Sequence, residues 1–168
     1  MIQHNLLLLL RDVIKYNWAD ARAWAVLLSL SLCISHESAK RAALDSGMAA
    51  TLPPLFDTVS LESEVTTTAR LLVVLCEADP TGAAGALAQA SIIAPLLSFL
   101  SLALSTSTND FQSSENNVIC KLSLLCVLLR ADDTRILFPE CHGLVELLTP
   151  VLARYANLVD LCCLFSIF

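Results

Sequence analysis

Residues 23–56 read AWAVLLSLSLCISHESAKRAALDSGMAATLPPLF, and this stretch decides the predicted fold. It consists of a long apolar run, a short polar-to-apolar run, a turn and another apolar run: Ala23 to Ile34, Glu37 to Leu44, Asp45-Ser46-Gly47, and Met48 to Phe56. The apolar residues recur at helical spacing, and glycine is the residue that most often follows the end of a helix. The stretch therefore predicts a unit of three consecutive helices.

The same order of runs recurs twice further along the chain. In the second unit the runs are Ala69 to Cys76, Ala83 to Ala90 after a turn at Pro80, and Ile92 to Leu104; in the third they are Val118 to Leu129, Asp132 to Phe138, and Leu144 to Leu152 after Gly143. Gly47, Ser91 and Gly143 occupy equivalent places, at offsets of 44 and 52 residues. Armadillo and HEAT repeats have roughly 40–47 residues. We interpret the Ser-, Thr- and Asn-rich segment Ser105 to Asn117 as an inserted loop that lengthens the second offset.

These units predict an all-α fold, namely an armadillo/HEAT-like right-handed helical solenoid of about three repeats plus a partial one, formed by residues 1–168 as one domain. Stacked repeats bury each helix on several sides, which explains why 56% of the residues are hydrophobic and 15% charged.

A membrane span is disfavoured, because the best candidate, Ala83 to Leu104, is interrupted by Gly85, Pro95 and several polar residues. The last run, Leu158 to Phe168, is apolar around most of its circumference. We expect further repeats to follow it in a longer protein.

Charge and cysteine content restrict the class of partner and the compartment. The net charge is −6, and the ten basic residues are scattered. Because binding to phosphates needs clustered Lys and Arg, nucleic acid and anionic membrane surfaces are disfavoured as partners. Six of the seven cysteines lie inside apolar helical runs, and the early apolar run Leu6 to Leu10 is not expected to be a signal peptide, because Arg11 and Asp12 follow it at once. Buried, reduced thiols in the cytosol are therefore predicted.

The sequence contains no recognisable catalytic, cofactor-binding or metal-binding pattern. Cys162 and Cys163 are adjacent, and Cys141-His142 stands without a second ligand pair, so neither fits a zinc spacing. Gly82-Ala-Ala-Gly85 lacks the Lys-Ser/Thr of a phosphate loop. A Cys/His nucleophile pair is formally compatible with the sequence, but thiols in apolar helices have raised pKa values and are inert. We expect a protein that is not an enzyme and that needs no cofactor.

Candidate partner-binding residues are polar or aromatic positions at helix junctions and on the third helix of each unit. They are Trp18, Thr51, Ser98, Glu146 and Arg154. Tryptophan is over-represented at the centres of interfaces, and Trp18 lies beside Tyr16 and Asn17 at a helix junction. Trp24, by contrast, is predicted to lie in the core, because it shares the apolar face of its helix.

The strings KLSLLCVLLRADDTRILFPECHGLVELLTPVL, at 121–152, and NLVDLCCLFSIF, at 157–168, resemble one known family. The family is the N-terminal domain of the H subunit of the vacuolar-type proton-pumping ATPases (V-ATPases). The matching positions are Arg130, Arg135, Phe138, Glu140, Gly143, Leu144, Val145 and Phe165-Ser166-Ile167-Phe168. Three positions depart from the family pattern: His142 where Asp is usual, Leu161 where Tyr is expected, and Phe168 where Trp is expected.

The resemblance implies a non-catalytic structural and regulatory component on the cytosolic face of acidic organelles. Such a component docks on the peripheral stalk, formed by the E and G subunits of the ATPase, and helps to couple ATP hydrolysis to proton transport. The resemblance also implies a separate C-terminal domain, which we expect to lie outside this chain. The alternative is a general armadillo adaptor that binds partner proteins or peptides. The third helices of the units carry no ladder of Asn and Trp residues for gripping a peptide, which favours permanent packing over reversible peptide capture.

Overall fold

The computed structural model describes residues 2–16, 19–56, 62–89, 92–98 and 111–130, together with positions 146, 149, 150 and 153. Every regular element in these residues is helical. The elements are α1 Ile2–Lys15, α2 Ala19–Ser35, α3 Glu37–Asp45, α4 Met48–Thr51, a 3₁₀ helix Pro53–Phe56, α5 Glu62–Ala78, α6 Gly82–Gln89, α7 at 93–98 and α8 Phe111–Arg130. The all-α prediction is confirmed for this part of the chain.

The first predicted unit corresponds to α2, α3, α4 and the 3₁₀ helix. The predicted third helix of this unit, Met48 to Phe56, is interrupted: α4 ends at Thr51 and a 3₁₀ helix follows. Proline has no backbone N–H to donate, so Pro53 and Pro54 cannot continue the α-helical ladder. The amide of Leu55 instead donates to the carbonyl of Leu52 at 3.0 Å, three residues back.

The turn between α3 and α4 depends on Gly47. Its φ is +74°, in the left-handed region that residues with a Cβ atom rarely adopt. The guanidinium of Arg11, on α1, donates through Nη1 to the carbonyl oxygen of Ser46 at 2.7 Å. The turn is thus held both by its own backbone geometry and by a contact from α1.

The long helix of the third predicted unit begins earlier than the sequence pattern suggested. α8 starts at Phe111, so residues 111–117 are helical and do not belong to a loop. The prediction of an inserted loop at Ser105 to Asn117 is therefore wrong for its second half, because no Gly or Pro stops the helix there and polar residues are compatible with a helix. Residues 101–110 lie outside the described residues.

The remaining predicted elements of the third unit are mostly outside the described residues. This applies to Asp132 to Phe138 and to Leu158 to Phe168. Of the predicted helix Leu144 to Leu152, positions 146, 149 and 150 are described, and they are helical.

Helix α5 lies at the centre of the packed helices. It contacts α2 and α8, the long helices of the first and third units, and it also packs against α3, α6 and the 3₁₀ helix. Its residues Leu71, Leu72 and Leu75 are completely buried. The buried apolar side chains from α1 to α8, apart from that of Cys126, belong to one cluster. The long helices thus follow one another through a shared core, with α5 as the middle member.

Candidate interaction site

A cleft opens where α1, α2, α4 and the 3₁₀ helix meet. Its volume is about 300 Å³, at the lower end of the range of small-molecule sites. The lining residues are Ile14, Lys15, Arg22, Ala50, Thr51, Pro54 and Leu55. The cleft therefore combines an apolar lining with two basic side chains and one hydroxyl.

Arg22 is the buried cation of this cleft, and its charge is already paired. Its Nε donates to Oε1 of Glu64 at 2.5 Å, and its Nη2 donates to Oε2 of Glu64 at 2.9 Å. Both residues are buried. The hydrogen bond from Arg22 to Glu64 raises the pKa of Arg22 above its already high ordinary value. The pair joins α2 to α5, so its first role is structural, and an incoming anion competes with a carboxylate in ideal two-point geometry.

Lys15 provides the exposed cation at the edge of the cleft. Its ammonium group lies 5.9 Å from the centre of the Tyr16 ring, within cation–π distance. The Thr51 hydroxyl, in contrast, donates to the carbonyl of Met48 at 2.7 Å. Its oxygen keeps the capacity to accept a further hydrogen bond. Lys15 and Arg22 were not recognised from the sequence as cleft residues, because only the folded chain brings α1 and α2 to the 3₁₀ helix.

The structure places one of the predicted partner-binding residues at the cleft. Thr51 is half-buried and lines the cleft, whereas Ser98 and Glu146 are exposed and are absent from the described cleft lining. Trp18 and Arg154 lie outside the described residues. The set predicted from the sequence therefore remains a prediction, with Thr51 placed next to a concave surface.

The prediction that Trp24 lies in the core is wrong. Its side chain is 71% exposed, and Leu27, Leu28 and Ile34 on the same helix are exposed as well. Helix α2 is apolar on nearly every face, so hydrophobicity could not select the buried one. The buried face carries Arg22, which pairs with Glu64, and the small residues Ala25 and Ser29, which permit close approach of neighbouring helices.

Four cysteines lie in the described residues, and none of these four forms a disulfide. Cys33, Cys76 and Cys126 are buried, which confirms the prediction of buried thiols for these three, whereas Cys120 is half-buried. Burial raises the pKa of Cys33 to about 11 and that of Cys76 to about 12, and it also raises the pKa of Cys120. The thiolate is the nucleophilic form, so these three thiols are poor nucleophiles at neutral pH. Cys141, Cys162 and Cys163 lie outside the described residues.

The described ranges contain neither a metal-ligating cluster nor a helix that could span a membrane. Across the described ranges, no group of three or more His, Cys, Asp or Glu side chains is arranged to hold a metal ion. His36 is exposed at the junction of α2 and α3. In the part of the chain that the structure describes, none of the helices has the length and hydrophobicity needed to cross a membrane.

No family model, curated protein or solved structure matches this chain. The proposals below therefore depend on the residues of the chain and on the packing of its helices.

Proposed function

We propose that the chain is a non-catalytic, protein-binding scaffold built as an armadillo/HEAT-like right-handed solenoid. The observation that carries this proposal is the packing of α5 between α2 and α8. Each of these three helices begins one of the units predicted from the sequence. Successive contact between equivalent helices is the arrangement by which repeat proteins extend a core in one direction.

The distribution of charge and chemistry supports a scaffold over an enzyme. An active site gathers ionisable groups with shifted pKa values in a cleft. In the cleft described above, the buried cation Arg22 is paired with Glu64, and this pairing raises the pKa of Arg22 and so stabilises the charged form of Arg22. The thiols with shifted pKa values are shifted toward the unreactive form. These groups stabilise packing and offer no activated nucleophile.

A narrower form of the proposal names the assembly. The resemblance over Leu122 to Phe168 to the H subunit of the vacuolar-type proton-pumping ATPases favours a structural and regulatory component that docks on the peripheral stalk, on its E and G subunits. In this role the chain acts at the cytosolic face of an acidic organelle and helps to couple ATP hydrolysis to proton transport. Protein contacts, without nucleic acid and without membrane insertion, then account for its activity.

The test is direct binding between purified partners. The full chain is titrated with the recombinant stalk heterodimer of the E and G subunits in a calorimeter, with the isolated E protein as the control. The narrower proposal expects saturable binding at one chain per heterodimer, weakened at least tenfold by replacing Thr51, Ser98 and Glu146 together with Ala. Absence of binding by the folded chain would exclude the ATPase assignment.

The broader proposal has its own test, which does not depend on the stalk. The full chain is assayed for hydrolysis of generic ester, peptide and phosphate substrates beside a variant in which Cys33, Cys76, Cys120 and Cys126 are replaced by Ala. A scaffold shows no turnover in either protein. Turnover that disappears in the variant without these four cysteines would identify an enzyme and contradict the scaffold proposal.

A further inference from the structure

The cleft between α1, α2, α4 and the 3₁₀ helix has the size of a small-molecule site. Its volume is about 300 Å³, and sites that enclose small ligands begin at this size. The apolar part of its lining consists of Ile14, Ala50, Pro54 and Leu55. Ile14 and Leu55 are buried members of the hydrophobic core, whereas Ala50 and Pro54 are exposed. A ligand in the cleft therefore reaches core side chains directly from solvent.

The charged residues that line the cleft are both basic. They are Lys15 and Arg22, and the described lining includes no Asp or Glu. In the whole chain, by contrast, 16 acidic residues outnumber 10 basic ones. The sign of the lining charge is thus opposite to that of the chain. An anionic ligand is attracted to this place and repelled by much of the remaining surface.

Only one of the two cations is available to a ligand. The guanidinium of Arg22 is held by both carboxylate oxygens of Glu64, at 2.5 and 2.9 Å. Lys15 belongs to none of the salt bridges in the described part of the chain. Its ammonium group lies 5.9 Å from the centre of the Tyr16 ring, a contact that leaves its N–H donors able to bind an anion.

A single available ammonium group selects the charge of the ligand. A carboxylate carries one negative charge at pH 7, which Lys15 can match. A phosphate monoester carries about −1.5 to −2, so part of its charge stays unpaired beside an apolar lining. The Thr51 hydroxyl adds no donor for an anion, because it already donates to the carbonyl of Met48 at 2.7 Å. Recognition of the charge therefore falls to Lys15.

We propose that this cleft binds a small, free monocarboxylic acid. The apolar body of the ligand packs against Ile14 and Leu55, and its carboxylate pairs with the ammonium group of Lys15. A free acid is favoured over an acidic peptide, because the third helices of the units carry no ladder of Asn and Trp residues for gripping an extended chain. This binding site is additional to the scaffold function and does not depend on it.

The experiment is a titration of the ¹⁵N-labelled full chain with 3-phenylpropionate, followed by the amide signals in two-dimensional NMR spectra. The proposal expects saturable shifts at the amides of Lys15, Thr51 and Leu55. The neutral 3-phenylpropanamide has nearly the same shape, so it is the matched ligand control. Because a hydrogen bond to a charged group is stronger than one to a neutral group, the amide binds roughly tenfold more weakly.

Two variants locate the bound acid, and a third is their control. Lys15→Gln removes the exposed charge and raises the dissociation constant roughly tenfold. Ala50→Leu enlarges an exposed lining side chain, narrows the cleft and weakens binding by a similar factor. Lys40→Gln removes a lysine that is paired with Glu37 and is absent from the described lining, so it leaves the affinity unchanged. The dispersion of the amide signals shows whether each variant is folded.

Three outcomes would overturn the proposal. The first is the absence of saturable shifts with 3-phenylpropionate. The second is equal affinity for the acid and the amide, or an equal loss in Lys15→Gln and Lys40→Gln, since either result removes Lys15 from recognition of the ligand. The third is binding of a blocked peptide that carries Phe beside Glu, without binding of the free acid, which would assign the cleft to a partner protein.

Discussion

The guanidinium of Arg22 and the carboxylate of Glu64 form a two-point ion pair that joins α2 to α5, with the Nε–Oε1 and Nη2–Oε2 distances at 2.5 and 2.9 Å. The two residues are separated by 42 positions in the chain. Both are buried in a fold whose interior is otherwise mostly aliphatic. The pair therefore fixes the position of α2 relative to α5.

Removing one member of this pair is expected to destabilise the chain strongly. Glu64→Gln leaves the buried guanidinium without its carboxylate, and breaking a buried ion pair in this way costs about 3–5 kcal/mol. Urea denaturation at pH 7, followed by circular dichroism, measures the loss.

Two variants serve as controls for the Glu64 prediction. Glu37→Gln removes the carboxylate of the surface pair with Lys40, in which Nζ and Oε2 are 2.8 Å apart. Because the Glu37 side chain is 63% exposed, we expect no measurable change in the denaturation midpoint. The double replacement Arg22→Met with Glu64→Leu restores most of the lost stability, because it removes both buried charges. Equal losses in Glu64→Gln and Glu37→Gln would contradict a structural role for the buried pair.

Two glycines are expected to respond to alanine in opposite directions. Gly47 has φ +74°, and a Cβ atom added there meets no other atom within 4 Å. The cost of Gly47→Ala therefore comes from the backbone conformation and is about 1–2 kcal/mol. Gly85 lies inside α6, where an added Cβ atom also meets nothing within 4 Å. Because alanine is the better helix former, Gly85→Ala stabilises by about 0.5–1 kcal/mol.

Thermal unfolding of the two glycine variants, side by side, is the measurement. A lowered midpoint for Gly47→Ala and a raised one for Gly85→Ala are the expected pair of results. Midpoints that both rise would show that the turn between α3 and α4 does not need a left-handed residue.

The buried thiols predict a loss of stability in alkaline solution. Folding raises the pKa of Cys33 from 9.0 to about 11 and that of Cys76 from 9.0 to about 12. At a pH between 9.0 and the raised pKa of each thiol, the unfolded chain loses thiol protons that the folded chain keeps. The stabilising contribution is therefore complete below pH 9 and is lost as the pH rises through 11 and 12, by at most about 1.4 kcal/mol per pH unit for each thiol.

The free energy of unfolding, measured in urea at intervals from pH 8 to 10.5, tests this effect. The chain with Cys33→Ala and Cys76→Ala is the control, because lysines and tyrosines titrate equally in both proteins. We expect a shallower decline in the control variant. Identical slopes would mean that these thiols are accessible to solvent in the folded chain.

Local features of the fold followed from the sequence. The turn at Pro80 is present, and Asp79 caps α6 by accepting hydrogen bonds from the Gly82 amide at 3.0 Å and the Thr81 hydroxyl at 3.2 Å. Apolar periodicity and turn residues are local signals, so they could be recognised without knowing the packing. The order of long and short helices in the first two units was predictable for the same reason.

Features that depend on the choice of a helix face were not predictable. In α2 apolar residues surround the helix, so the exposure of Trp24 was decided by contacts with other helices. The partner of Arg22 lies on α5, far away in sequence, and no local pattern identifies it. The start of α8 at Phe111 was missed because polar composition alone suggested a loop. The candidate site was limited in the same way, since of its predicted residues only Thr51 is a described member of the cleft lining.

Hydrogen exchange tests most directly the central claim that α5 is the shared layer of one helical stack. Exchange is measured by mass spectrometry on the full chain and on Leu75→Ala, which removes a completely buried side chain from α5 at a cost of about 2–5 kcal/mol. The account predicts that the amides of α2, α5 and α8 all exchange faster in this variant, whereas Leu9→Ala on the exposed side of α1 changes none of them. Faster exchange confined to α5, with α2 and α8 as protected as before, would contradict the claim.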